Sequence, residues 1–132
     1  MTVGVLVITH EEVGKALLDA AVNMLGLCPL ATETLTVQRD VDPETLVQRA
    51  RVALAGLDTG DGVLVLTDMY GSTPSNIACR LFENGQVEVV SGINLSMLVR
   101  VLNYPSLSLH ELTEKALSGG HEGIMACMAP ER

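Results

Sequence analysis

Aromatic and basic residues are scarce in this sequence of 132 residues. Aromatic side chains make up 2% of the chain and Trp is absent, so a core has to be built from aliphatic residues and Met. Lys and Arg number 8 against 16 Asp and Glu, which gives a formal net charge of −8. A domain with neither a basic patch nor an aromatic platform is a poor candidate for binding nucleic acid. Its acidic surface favours basic protein partners instead.

Cysteines and long apolar segments are also few. Cys28, Cys79 and Cys127 are odd in number and far apart, and no CxxC motif is present. This spacing argues against a disulfide framework or a zinc ribbon and favours buried, reduced thiols in a cytoplasmic protein. No apolar run approaches the roughly 18 residues of a membrane helix. The N-terminal residues lack the basic segment of a signal peptide and predict a first strand.

Four apolar, β-branched runs are predicted to be strands. They cover residues 3–8, 34–37, 63–67 and 87–90. Runs such as VLVLT at 63–67 lack the polar alternation of a half-buried strand. Continuous apolar runs indicate burial on both faces and therefore a parallel sheet.

Amphipathic segments between and after these runs are predicted to be helices. The first has Glu11 and Glu12 in its first turn and Gly26 near its end, and the second starts with an Asp42 cap followed by Pro43. The expected helices cover residues 13–25, 43–57, 74–85, 95–102 and 108–117, the last closed by Gly119-Gly120.

This alternation of strands and helices predicts an α/β fold. We expect a single doubly wound domain over residues 1–132, with a mainly parallel central sheet and helices on both faces. Residues 123–128 (GIMACM) leave two alternatives open, an antiparallel edge strand at the C-terminus or a frayed tail.

Candidate functional residues follow the strands. In open α/β sheets, sites form at the carboxyl ends of strands, near the point where the strand order reverses. The first strand ends at Thr9 and His10, the third is followed by Asp68, and the fourth is followed by a turn that contains Asn94. If the first and third strands are neighbours, His10 and Asp68 face each other.

A histidine held by a carboxylate is suited to nucleophilic chemistry. The carboxylate fixes the tautomer, stabilises the cation that forms and leaves the other ring nitrogen exposed. The adjacent loop Gly71-Ser72-Thr73-Pro74 leads into a helix, and its N–H groups and hydroxyls are suited to an anion such as phosphate. The combination predicts a phosphohistidine site, although a structural role for His10 stays open at this point.

Other site types lack their motifs. The sequence has no GxGxxG after a strand, no GxxxxGK[ST] loop and no GxSxG elbow around Ser72 or Ser75. His10, His110 and His121 are too scattered for a metal site, and the last two are expected at the surface.

Four motifs give the chain a resemblance to the enzyme IIA domain of the mannose-type (mannose/fructose/sorbose) sugar phosphotransferase system. The resemblance extends over about residues 2–125. Its motifs are VLVITH at 5–10, LVLTDMYGSTPSN at 64–76, SGINLSML at 91–98 and GGHEGI at 119–124.

The resemblance implies a role for each matching residue. His10 accepts a phosphoryl group from the phosphocarrier HPr and passes it to a IIB protein, while Asp68 holds the other ring nitrogen. The phosphate pocket is lined by Thr9, Gly71, Ser72 and Thr73. Asn94 shapes the neighbouring loop. No metal or other cofactor is needed.

The resemblance also implies a homodimer, in which residues 123–128 are exchanged in some family members, and only an indirect link to a membrane permease. Ser96 stands where many members have Pro, and we expect no IIB domain in the chain, so the IIB partner is a separate protein. The alternative function is a regulatory phosphoprotein, in which the phosphorylation state of His10 controls partner binding without sugar transport.

Overall fold

The computed structural model describes residues 2–128. The strands are β1 (Gly4–His10), β2 (Thr32–Val37), β3 (Val63–Thr67) and β4 (Val87–Ser91). The helices are α1 (Val13–Leu25), α2 (Pro43–Leu57), α3 (Thr73–Cys79), α4 (Leu95–Leu102) and α5 (Leu109–Glu122). The strands form one parallel sheet in the order β2-β1-β3-β4. The α/β prediction is therefore confirmed.

The alternation of side chains along β1 divides the core into two layers. Val5 and Val7 pack in the layer that contains α1, α4 and α5, whereas Leu6 and Ile8 pack in the layer that contains α2 and α3. All four side chains are fully buried. Helices thus cover both faces of the sheet, as the continuous apolar strands predict.

The strand order reverses between β1 and β3. From β1 the chain crosses to β2 on one side, and it then returns past β1 to β3 and β4 on the other side. Crevices open at the carboxyl ends of strands where the order reverses in this way. His10 is the last residue of β1, and Asp68 directly follows β3.

Helix α5 does not stop at Gly119-Gly120, and that prediction is wrong. The helix continues to Glu122 because both glycines are buried against α4. A Cβ on Gly119 would lie 2.7 Å from Cβ of Arg100, and one on Gly120 would lie 2.8 Å from Cε of Met97. The glycines therefore allow close helix packing, which outweighs their poor helix propensity of about 1 kcal/mol each.

The tail after α5 contains no strand within the described residues. The N–H groups of Gly123 and Ile124 donate to carbonyls of the last turn of α5, so the chain stays tied to the helix end rather than to β4. Residues 124–128 are exposed and irregular. Of the two alternatives for residues 123–128, the edge strand is absent from this single chain.

Further local predictions are corrected. All three cysteines are exposed rather than buried, because they lie in the turn after α1, at the end of α3 and in the tail. Helix α3 ends at Cys79 instead of near Gly85, and Glu12 is the N-cap of α1 rather than part of its first turn. Asp42 caps α2 as predicted. Among residues 2–128, none of the helices is long and apolar enough to cross a membrane.

Candidate functional site

His10 stands on the α2–α3 side of the sheet, because it continues the alternation of Leu6 and Ile8 along β1. Its side chain is 45% exposed, unlike the fully buried residues before it. The N–H of Glu11 donates to the carbonyl of Val37, so the chain beyond His10 is still fastened to β2. A rigid strand end thus presents an accessible imidazole.

Asp68 holds His10 at two points. Its Oδ2 lies 2.8 Å from Nδ1 of the ring and also accepts the backbone N–H of His10 at 2.9 Å. Its Oδ1 accepts the N–H of Met69 at 2.9 Å. A carboxylate accepts hydrogen bonds, so this geometry assigns the ring proton to Nδ1 and leaves the lone pair on Nε2. The pairing expected for neighbouring β1 and β3 is present.

The ionisation of Asp68 follows from these contacts. Burial raises the pKa of the carboxyl, but hydrogen bonds from the backbone and ring of His10 and from the Met69 backbone outweigh burial. The pKa of Asp68 is therefore held below its ordinary value. The carboxylate stays charged near neutral pH, which is the state that orients the imidazole and stabilises positive charge on it.

A cavity of about 750 Å³ opens beside His10. Thr73 lies on its wall, at the start of α3, and most of the remaining lining comes from the segment that joins β2 to α2. The lining residues are His10, Glu11, Val37, Gln38, Arg39, Asp40, Val41, Asp42, Pro43 and Thr73. The candidate site therefore has room for a group attached to the histidine.

The loop between β3 and α3 is held by backbone and hydroxyl contacts. Gly71 has φ +86, a left-handed conformation that favours glycine. The hydroxyl of Ser72 donates to the carbonyl of Met69, and the N–H of Gly71 donates to the hydroxyl of Ser75 at 3.3 Å. Gly71 and Ser72 thus stand in a fixed turn that directly follows Asp68.

Buried hydroxyls behind this loop were missed by the sequence patterns. Ser75 Oγ lies 3.2 Å from Ser91 Oγ, and Thr67 Oγ1 donates to the same Ser91 oxygen at 3.0 Å. Ser75 and Thr67 are buried, so each needs such a partner. The three residues connect β3, β4 and α3, but their separation in sequence leaves no local signal that would find them.

Thr9 lies on the other side of the sheet from His10. Its side chain is buried, and its Oγ1 accepts the N–H of Gly14 in the first turn of α1 at 2.7 Å. The structure does not bring this hydroxyl together with the other candidate pocket residues, because adjacent residues of a strand point to opposite faces.

Asn94 is the N-cap of α4. Its Oδ1 accepts the N–H of Met97 at 2.8 Å, and its Nδ2 donates to the carbonyl of Gly120 in α5 at 3.1 Å. Just before it, the N–H groups of Gly92 and Ile93 donate to the carbonyl of Thr67 at the end of β3. Asn94 therefore fixes the turn after β4 to two neighbouring elements.

The sequence matches a family model over most of its length. The family is described as the PTS system fructose IIA component, and the match covers residues 4–117, which include His10, Asp68 and Asn94. The chain belongs to this family. The resemblance to mannose-type IIA proteins is confirmed by this match and by the relatives.

Relatives differ in how much of their length this chain represents. It is 34% identical over 132 residues to the PTS system mannose-specific EIIAB component of Escherichia coli (strain K12). That alignment covers 98% of this chain and 41% of that protein. It is 29% identical over 116 residues to the transcriptional regulatory protein LevR of Bacillus subtilis (strain 168). That alignment covers 83% of this chain and 12% of that protein. The chain thus spans less than half of either relative.

A solved structure of similar size shares the fold. The mannose/sorbose specific IIA subunit of the phosphotransferase system from Enterococcus faecalis superposes with a TM-score of 0.88 at 21% identity. The alignment covers 100% of this chain and 99% of that one. The two chains therefore share the doubly wound fold over their whole length.

Proposed function

We propose that this IIA chain relays a phosphoryl group, which it accepts on Nε2 of His10 from phosphorylated HPr and passes to a IIB protein. One observation carries the proposal: Asp68 binds both the backbone and Nδ1 of His10, so Nε2 is the nucleophilic nitrogen. Family membership supports a phosphotransfer role in a sugar phosphotransferase system.

The phosphoryl transfer needs no cofactor, because every bond and electron pair in it is accounted for by the two histidines and the phosphoryl group. The Nε2 lone pair of His10 forms the new N–P bond, the bond between phosphorus and the donor nitrogen breaks, and the donor nitrogen keeps that electron pair. The proton on Nδ1 stays where it is, so the phosphorylated ring is cationic and faces the carboxylate of Asp68. Transfer between two histidines needs positioning and charge stabilisation rather than a strong acid or base.

The other candidate residues divide into two groups. Thr73, on the cavity wall, and the turn at Gly71 and Ser72 are proposed to contact the phosphoryl oxygens. Thr9 and Asn94 are proposed to act by position, since Thr9 fixes α1 and Asn94 fixes the turn after β4. A homodimer, with a permease reached through the IIB partner, completes the proposal.

Intact mass after incubation with phosphoenolpyruvate, enzyme I and HPr tests the proposal. We expect one added phosphoryl group that is lost in mild acid and is absent from His10→Ala. His110→Ala is the matched control, because His110 is exposed at the other end of the domain and should be labelled like wild type. Equal labelling of His10→Ala, or unlabelled wild type beside fully phosphorylated HPr, contradicts the proposal.

A regulatory phosphoprotein is the second candidate function. The observation that favours it is the similarity to part of the transcriptional regulatory protein LevR. Both functions use a phosphorylated His10, so labelling does not separate them. Addition of a mannose-type IIB protein does: a relay loses its label to IIB, whereas a regulator keeps its label and changes its affinity for a partner.

A further inference from the structure

The cationic side chains of the domain differ in whether they have a partner. Lys15, Arg80 and Arg100 form ion pairs, Arg51 donates to a carbonyl, and Lys115 lies over the ring of Tyr104. Within residues 2–128, only Arg39 and Arg49 have a cationic side chain that makes no hydrogen bond, ion pair or cation–π contact. Both are exposed, but they lie in different surroundings.

Arg39 lies in the turn between β2 and α2, on the wall of the cavity that also contains His10. It reaches this place because β2 pairs with β1 in a register that sets Val37 opposite His10, two residues before Arg39. Arg49, by contrast, lies on the outer surface of α2 beside Gln48 and Val52.

The charges around the cavity make Arg39 distinctive. Three carboxylates line the cavity, from Glu11, Asp40 and Asp42, and Arg39 supplies the one Lys or Arg side chain of the lining. Asp42 is already used as the cap of α2. A phosphoryl group on His10 brings about two further negative charges into this space, and without a cation the carboxylates would oppose it.

We propose that Arg39 binds the phosphoryl group carried by His10, a role that rests on the proposed function of His10. Its guanidinium offers a planar fork of donors that matches two phosphoryl oxygens. Before phosphorylation the side chain has no partner to give up, so binding replaces only contacts with water. Arg39 thus stabilises phosphohistidine relative to histidine.

The equilibrium between the domain and HPr tests this proposal. Partner docking changes forward and reverse transfer rates together, whereas a residue that binds the phosphoryl group changes the equilibrium itself. We expect Arg39→Gln to lower the equilibrium constant for phosphorylation by HPr about fivefold, as befits an exposed charge pair. Arg49→Gln is the matched control and should behave as wild type.

A spectroscopic measurement separates phosphoryl binding from a change in structure. A nearby guanidinium favours the dianionic phosphoryl group, so loss of Arg39 should raise the pKa of its second ionisation, read from the ³¹P chemical shift against pH. In Arg39→Lys this pKa should lie between the values of wild type and Arg39→Gln. Thermal unfolding of each variant checks that the fold is intact.

The outcomes distinguish this proposal from the one on which it rests. Wild type that takes no label on His10 overturns both proposals. Wild type labelled on His10, with the same equilibrium and ³¹P titration in Arg39→Gln as in Arg49→Gln, overturns the role of Arg39 alone.

Discussion

Thr9 and His10 are neighbours in sequence but stand on opposite faces of the sheet. Thr9 is 1% exposed, and its hydroxyl is committed to the first turn of α1. The side chain of His10 is 45% exposed, and one of its ring nitrogens has no partner among the described residues. One face of this strand end therefore builds the domain, while the other presents the reactive group.

The two faces of the strand end contribute to different properties of the protein, one to folding stability and the other to phosphoryl transfer. Loss of the acceptor from a buried hydrogen bond destabilises the folded state, because no water can take the acceptor's place at the donor. A half-exposed imidazole contributes little to folding stability, because water hydrates it in the folded chain as well as in the unfolded chain. We therefore expect substitutions on the Thr9 face to lower the free energy of unfolding, and substitutions on the His10 face to lower the transfer rate.

Asp68→Asn should have the largest effect on the His10 face. An Asn side chain can donate to Nδ1, which favours the tautomer with its proton on Nε2 and removes the nucleophilic lone pair. It also removes the negative charge that faces the cationic ring. We expect the rate of phosphoryl transfer from HPr to fall on the order of 10²-fold, measured by rapid quench.

The control for this variant is Asp61→Asn. Asp61 is an exposed carboxylate at the amino end of β3, so its loss changes the net charge equally without touching His10. Equal transfer rates in Asp68→Asn and Asp61→Asn would show that Asp68 serves only to hold the structure.

Thr9→Val should have the largest effect on the other face. The substitution keeps the shape of the side chain but leaves the buried N–H of Gly14 without its acceptor. We expect the free energy of unfolding to fall by about 1–3 kcal/mol, measured by urea denaturation, with His10 still phosphorylated. Thr9→Ser keeps the hydroxyl and is the matched control.

A different result would change the interpretation of Thr9. If Thr9→Val unfolds like Thr9→Ser but is phosphorylated far more slowly, the hydroxyl acts on the phosphoryl group rather than on α1. In that case the Thr9 face of the strand end would take part in phosphoryl transfer as well as the His10 face.

These two residues also show what a sequence can reveal. Alternation along β1 is a local pattern that sets Thr9 and His10 on opposite faces, yet the family resemblance led us to expect both residues in one pocket. The pairing of His10 with Asp68 is predictable once β1 and β3 are taken as neighbours, because both stand at carboxyl ends. The central sheet and the contact between His10 and Asp68 were therefore accessible from the sequence.

Other features depend on contacts between distant segments and could not be predicted locally. Gly119 and Gly120 lie inside α5 because α4 packs against them, whereas in isolation they resemble a helix stop. Ser75 and Ser91 meet only after β4 joins the sheet. Arg39 reaches the cavity through the register of β2 on β1, and nothing in its own surroundings in the sequence marks it.

Lowering the pH should produce the smallest of these effects on folding stability. It should act only through Asp68, on the His10 face of the strand end. Burial raises the pKa of Asp68, but the hydrogen bonds from His10 and Met69 outweigh it, so the folded-state pKa lies below the ordinary value. A carboxylate of this kind stabilises the fold above its unfolded-state pKa of about 3.9, and the contribution is lost as the pH falls through the folded-state pKa.

Thermal unfolding of three proteins across this range checks the expectation. The stability difference between wild type and Asp68→Asn should shrink once the pH falls below about 4, where the carboxylate of wild type becomes protonated. The difference between wild type and Thr9→Val should not change, because neither Thr9 nor Gly14 titrates. If both differences shrink together in acid, a global charge effect is acting and the two faces of the strand end are not independent. If neither shrinks, the hydrogen bonds to Asp68 do not favour its charged form in the folded state.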